Sequence, residues 1–202
     1  SSVPETFTKK IGVLGAGLMG HGIAYVSAKA GLDVVMVDLS KSSVEKGLKK
    51  IDNILQSEVK KKSISDKTAK EILGRVTGTD EYSKLKGCDF IIEAVFEDQK
   101  LKGSVTIEAE KNISNDKVFA SNTSTIPITV LAEKSIDPEK FIGVHFFSPV
   151  NRMKLVEIIK GKKTSNHTLA KAFDFAIKIG KIPIVVNDSR GVDTVGVVGI
   201  DA

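Results

Sequence analysis

The run Gly15-Ala16-Gly17-Leu18-Met19-Gly20, with the acid Asp38 further on, has the residue types and spacing to hold a dinucleotide. Glycine at 15 suits a tight turn, and glycine at 17 removes the Cβ that would keep a pyrophosphate off the backbone. Glycine at 20 lets the following helix pack closely on the strand before it. That helix begins with free N–H groups and the positive end of its dipole, both suited to phosphate. Asp38 can accept both hydroxyls of a ribose and would repel a 2′-phosphate. NAD is therefore the expected cofactor, with Lys41 nearby as the one residue that softens the discrimination against NADP.

A second group can move a proton. Glu157 lies in Leu155-Val156-Glu157-Ile158-Ile159, with apolar residues at adjacent and alternate positions, so either strand face holds an acid among apolar groups. A buried carboxylate needs a partner. If the chain folds back antiparallel about Asn151, with 148–153 as the loop, His145 and Glu157 each lie six residues from the turn and face each other. Cross-strand neighbours are about 5 Å apart, within reach of an imidazole–carboxylate hydrogen bond. Such a carboxylate fixes the histidine tautomer and raises its basicity, which suits a general base beside a nicotinamide. The alternative is a structural His–Glu pair that seals a strand end. Two further polar groups follow strands: Glu97 with Lys102, and Ser121-Asn122-Thr123-Ser124-Thr125. The latter can donate to a substrate oxygen or simply shape a turn and cap a helix. His21 and His167 read as surface or capping residues, and no His/Cys/acid cluster has metal spacing.

These groups need a frame. Ile11–Leu14 and Val34–Val37 are apolar runs around a helical pattern that Gly31 stops. Ser40 or Ser42 can cap a helix carrying Val44, Leu48, Ile51, Ile54 and Leu55, and Ser65-Asp66 caps another that Gly74 closes. Strand patterns fall at 76–78, 88–95, 118–120, 141–147, 155–159 and 182–186, with helices at 97–113, 126–133 and 168–179. The near-continuous apolar runs suit parallel strands covered on both faces. The expected fold is α/β, a doubly wound Rossmann-type sheet, mainly parallel, with extra antiparallel pairing near the C-terminus. Ligands of such sheets bind beyond the carboxyl ends of the strands.

The chain has 202 residues, 41% of them hydrophobic and 27% charged, enough for one domain with a real core. Its single cysteine, Cys88, excludes a disulfide framework, suits a reducing compartment and reads as a small buried residue. No run reaches the roughly 18 apolar residues of a membrane span. Residues 1–8 read as a linker without a targeting pattern, so an intracellular setting is expected. The net charge of +5 comes from lysines around Lys49-Lys50 and Lys60-Lys61-Lys62, either a solvated helix face or a landing patch for a polyanionic small molecule. Few aromatics accompany them, which argues against nucleic acid.

Five stretches, in order, resemble one family: Gly15–Gly20 (GAGLMG), Glu93–Asp98 (EAVFED), Ser121–Ser124 (SNTS), His145–Val150 (HFFSPV) and Leu155–Ile159 (LVEII). Together they resemble the NAD-binding domain of L-3-hydroxyacyl-CoA dehydrogenase, as found in the multifunctional enzymes of fatty-acid β-oxidation, over residues 9–191. The family oxidises the 3-hydroxyl of an acyl-CoA and passes hydride to NAD. The resemblance implies His145 as catalytic base, Glu157 as its orienting acid, and Ser124 at both substrate hydroxyl and nicotinamide. It also implies a cofactor site made by Gly15, Ala16, Gly17, Leu18, Met19, Gly20, Asp38, Val95, Glu97, Lys102, Ser124 and Ser148. Lys61 matches, most weakly, a basic helix that meets CoA phosphates.

Two departures accompany the resemblance. After Gly191 the tail 192–202 diverges, with Val195 where a substrate-contacting Asn is expected. Members of the family also continue into a helical domain of about 100 residues, which closes the acyl-CoA site and makes dimer contacts. The chain is therefore expected to be competent for NAD and compromised in turnover. Two other readings are a non-catalytic NAD-binding module and a dehydrogenase of a small hydroxy acid. The second commonly uses a lysine on a later helix, and none is placed as well as His145.

Overall fold

The computed structural model describes residues 8–188. The expected linker, except Thr8, and the divergent tail lie outside the described residues. Eight strands form one sheet in the order β3-β2-β1-β4-β5-β6-β7-β8. They are β1 Lys10–Leu14, β2 Asp33–Val37, β3 Val76–Thr79, β4 Phe90–Glu93, β5 Val118–Ser121, β6 Phe141–Phe146, β7 Leu155–Lys160 and β8 Ile182–Asn187. The first six run parallel to their neighbours; β7 pairs antiparallel with β6, and β8 runs parallel to β7. The helices are α1 Leu18–Lys29, α2 Lys41–Lys60, α3 Asp66–Gly74, α4 Gln99–Glu110, α5 Ile128–Leu131 and α6 Asn166–Lys178. This is the doubly wound α/β sheet expected, with its crevice where β1 and β4 diverge in connection.

Each face of the sheet carries its own core. On one face, Ile23 and Ala24 of α1, Ile51 and Leu55 of α2, and Ala172 and Phe175 of α6 pack on strand residues such as Val13, Met36 and Phe90. Phe175 stacks on Phe90 at 4.7 Å between ring centres, which ties α6 to the middle of the sheet. On the other face, Val105 and Ala109 of α4 and Leu131 of α5 cover Leu14, Ile91, Phe119 and Phe141. Cys88 is buried there, and burial pushes its thiol up to about 11. Strands clothed on both sides explain why their sequences read as continuous apolar runs.

Local capping sets the helix ends. Ser40 and Ser65 accept from Ser43 N and Thr68 N, as their positions before helical periodicity suggest. Two helices are shorter than expected. The run 97–113 is helical only over Gln99–Glu110, because Asp98 caps it by accepting from Leu101 N and Glu97 is drawn away to the β5 loop. The run 126–133 is α-helical only over Ile128–Leu131, continuing as a 3-10 turn, with Pro127 preceding the helix rather than inside its first turn. Its first N–H groups, at Ile128 and Thr129, donate to the carboxylate of distant Asp188. Among the described residues no helix is long and apolar enough to cross a membrane.

Candidate active site

A cleft of about 650 Å³ opens at the carboxyl ends of β1, β2, β4, β5 and β6. Gly15, Gly17, Leu18 and Met19 line it at one end with Val37 and Asp38; Asn122, Ser124, His145 and Ser148 line it at the other.

The first end is made by the backbone. Gly15 adopts φ of 109°, and a Cβ there would stand 2.7 Å from the Ala94 carbonyl oxygen. A Cβ on Gly20 would fall 1.9 Å from the Gly15 carbonyl oxygen, so α1 can sit against the turn only with glycine at this place. A Cβ on Gly17 would meet nothing within 4 Å: the space beside it is open, as close approach of a phosphate requires. The first N–H groups of α1 have no acceptor within the helix and face that space. Asp38 ends β2 beside the turn. Its Oδ2 accepts from Ala16 N at 2.7 Å and its Oδ1 from Leu39 N at 2.6 Å, which holds the carboxylate in place. His21 is buried rather than on the surface, and its Nδ1–H donates to the Gly17 carbonyl at 2.7 Å. Burial lowers its pKa and keeps the ring neutral beside the turn. These features fit NAD: a phosphate cradle, a helix N-terminus and a carboxylate held at the end of β2 in the same cleft.

The second end is made by side chains from distant strands. Register sets His145 directly opposite Glu157 across β6 and β7. Their nearest atoms, Nδ1 and Oε1, are 3.8 Å apart, an ion-pair distance longer than a hydrogen bond. Glu157 is 31% exposed. The expectation of an acid forced by burial to take a partner is thus too strong, and strand register is what brings the two together. The His145 ring also packs against Phe147 at 4.7 Å. Glu97, after β4, reaches across to the β5 loop: its Oε1 accepts from Thr123 Oγ1 at 2.6 Å, and its Oε2 from Ser124 N at 2.9 Å and Ser124 Oγ at 3.1 Å. Partial burial works to raise the Glu97 pKa, but these bonds and the charge of Lys102 outweigh it and hold the carboxyl below its ordinary range.

Under this end lies a buried ion pair, Lys102 with Glu93. Lys102, expected at the cofactor ribose, is 1% exposed and does not line the cleft. Its ammonium donates to Glu93 Oε2 at 2.7 Å, to the Val95 carbonyl at 3.2 Å and to the Asn122 carbonyl at 3.1 Å. Glu93 in turn accepts from Ser121 Oγ and Val95 N. Burial pushes the Glu93 carboxyl up, against the pull of Lys102 and these donors. Asn122 passes the connection on, its Oδ1 accepting from Phe146 N beside His145. Lys61 caps α2, is exposed and stands outside the cleft lining, as does Glu157. Leu39, Tyr82, Phe96, Leu101 and Val105 line the cleft without having been anticipated. Leu101 and Val105 share a helix face four apart, which periodicity could have signalled. Tyr82 sits in a 3-10 turn that no periodicity marks.

Over residues 10–189 the chain matches the family described as 3-hydroxyacyl-CoA dehydrogenase, NAD binding domain. It belongs to that family. NAD is accordingly the cofactor of this domain. A fatty acid oxidation complex subunit alpha from Idiomarina loihiensis is 46% identical over 183 residues, covering 91% of this chain and 26% of the relative. A subunit of the same name from Acinetobacter baumannii is 45% identical, covering 89% of this chain and 25% of the relative. The domain thus spans about a quarter of the length of the curated relatives it matches. Among solved structures, an (S)-3-hydroxybutyryl-CoA dehydrogenase from Ralstonia eutropha is 39% identical with a TM-score of 0.89, covering 91% of this chain and 65% of that one. The 3-hydroxybutyryl-CoA dehydrogenase of Escherichia coli is 28% identical with a TM-score of 0.87, covering 91% and 39%.

Proposed function

We propose that this domain serves the NAD-dependent oxidation of an L-3-hydroxyacyl-CoA to the 3-ketoacyl-CoA, as part of fatty-acid β-oxidation. One observation carries the proposal: His145 lines the same cleft as the glycine turn and Asp38, and Glu157 stands opposite it on β7, behind the cleft lining. Bound NAD supplies the hydride acceptor. His145 takes the proton of the substrate hydroxyl, and Glu157 orients the ring and stabilises the imidazolium that forms. Ser124 holds the substrate oxygen, its hydroxyl released from Glu97 to donate there. Glu97 accepts from a cofactor ribose, for which its depressed pKa keeps it ionised. Lys102 contributes from beneath by holding the Val95 and Asn122 carbonyls. Gly15 to Gly20 receive the pyrophosphate, Asp38 the adenosine ribose, and Ser148 the nicotinamide end. Lys61, on the exposed end of α2, is left to the CoA phosphates. The domain works inside the cell, where its one cysteine stays a thiol.

The test is titration with NADH followed by addition of acetoacetyl-CoA, reading loss of NADH absorbance, with His145→Gln alongside. Turnover that requires His145 supports the proposal. Binding of NADH without turnover favours a binding module that needs the rest of the longer relatives. Turnover only with a small hydroxy acid would replace the substrate class.

A further inference from the structure

Two buried ammonium groups flank the nicotinamide end of the cleft, and the reaction outlined above uses only the loops they hold. Lys102 anchors the loops after β4 and β5. The other, Lys181, lies at the start of β8, remote in sequence from every site residue. It is 8% exposed. Its Nζ donates to the carbonyls of Val150 and Met153, the latter at 2.7 Å. Both acceptors belong to the loop between β6 and β7, which begins at Phe147, directly after the strand that carries His145, and includes Ser148. Arg152 N and Met153 N donate back to the Pro149 carbonyl, so the loop is a tight turn wound about the lysine head. Val150 is 3% exposed and seats on α1 at Gly22, where a Cβ would come within 2.8 Å of the valine. The loop is therefore pinned twice, by an ammonium on one side and by the helix of the dinucleotide turn on the other. Among the described residues, both acceptors of Lys181 are backbone carbonyls and neither is a carboxylate. The group spends its charge on backbone carbonyls, an arrangement that orders a loop and leaves no side chain free to relax it.

We infer that Lys181 is a positioning residue for the nicotinamide half of the site: it fixes the Ser148–Met153 turn, and with it the wall against which the nicotinamide ring is held. The inference rests on the nicotinamide end lying at His145 and Ser148. Among the described residues, Gly15, Gly17 and Asp38 of the adenosine end share no hydrogen bond with Lys181, whose link to α1 is the packing of Val150 at Gly22, beyond the phosphate turn, so the effect of losing the ammonium separates the two ends of one ligand.

The experiment compares NADH with ADP-ribose, which lacks only the nicotinamide ring, on the wild-type chain and on Lys181→Met and Val150→Ala. Lys181→Met is expected to weaken NADH by about tenfold, the order of losing charged hydrogen bonds, and to leave ADP-ribose affinity unchanged. The fluorescence emission of bound NADH should shift toward that of free NADH. Val150→Ala, which loosens the loop from its other anchor, is expected to change the NADH to ADP-ribose ratio in the same direction and by less. An unchanged ratio in both variants overturns the inference. Parallel loss of NADH and ADP-ribose in Lys181→Met also overturns it, because the lysine would then serve the fold at large. Wild-type chain that binds ADP-ribose but not NADH would overturn the underlying placement of the nicotinamide, and this inference with it.

Discussion

At the β1–α1–β2 end of the cleft, the side-chain hydrogen bond that shapes the phosphate cradle joins Asp38 to Ala16, 22 residues apart and inside one βαβ unit. At the β5–β6–β7 end, Glu97 meets Ser124 across 27 residues, Asn122 meets Phe146 across 24 and Lys181 meets Val150 across 31, each bond crossing from one strand end to another. The first end is backbone geometry enforced by glycine; the second is a set of side-chain braces. A backbone cradle tolerates almost no addition but survives loss of side chains around it. A braced end keeps its fold through conservative changes and loses its alignment with any one strut.

The largest effect should come from the braced end, where chemistry is expected. His145→Gln should lower reduction of acetoacetyl-CoA by about 10²- to 10⁴-fold, the worth of a general base. NADH affinity should be nearly unchanged, as fluorescence titration would show. Loss of NADH binding instead would mean that the two ends are not separable. Next in size is Glu93→Gln, which leaves the Lys102 ammonium buried without its carboxylate. Unfolding in urea should show about 3 kcal/mol of lost stability, the cost of breaking a buried pair. The double change to Glu93→Met with Lys102→Met should recover much of it. Gly20→Ala should cost about 2 kcal/mol or more by overpacking, because its Cβ has no room beside the Gly15 carbonyl. It should weaken NADH and ADP-ribose together, unlike any change at the braced end.

The smallest effect is a pH dependence. The folded pKa of Glu97 lies below its ordinary value of 4.5. Its contribution is thus fully present above 4.5 and is lost as the pH falls through the lower folded value. Stability of Glu97→Gln should fall less steeply with acid in that window than that of the wild type; above it the wild type should be the more stable by a constant amount, and below it the gap should close. Identical acid limbs would show that the Glu97 bridge to Thr123 and Ser124 is not a strut.

How far the sequence could be read follows the same division. The glycine turn, α1, β2 and Asp38 were legible because a βαβ unit states its geometry in consecutive residues. The opposition of His145 and Glu157 was legible for a related reason: a hairpin has a centre of symmetry, and counting outward from Asn151 pairs the two. What escaped was direction. Lys102 read as a ligand contact because it follows a strand end, yet α4 begins only at Gln99, capped by Asp98, and that phase turns Lys102 inward to Glu93. The cap on α5 escaped because it comes from Asp188, about sixty residues away. Nothing in the sequence around Lys181 marks it as a buried brace.

The sequence alone thus determined the order of strands and helices, the phosphate turn, the acid at its edge and the register of the β6–β7 hairpin, since each depends on neighbours or on a single fold-back. Only the tertiary structure decided which charged side chains face the cleft and which are buried as braces beneath it. That choice depends on the rotation of each helix against the sheet and on which strand ends meet. Both are properties of packing between segments that no local pattern encodes.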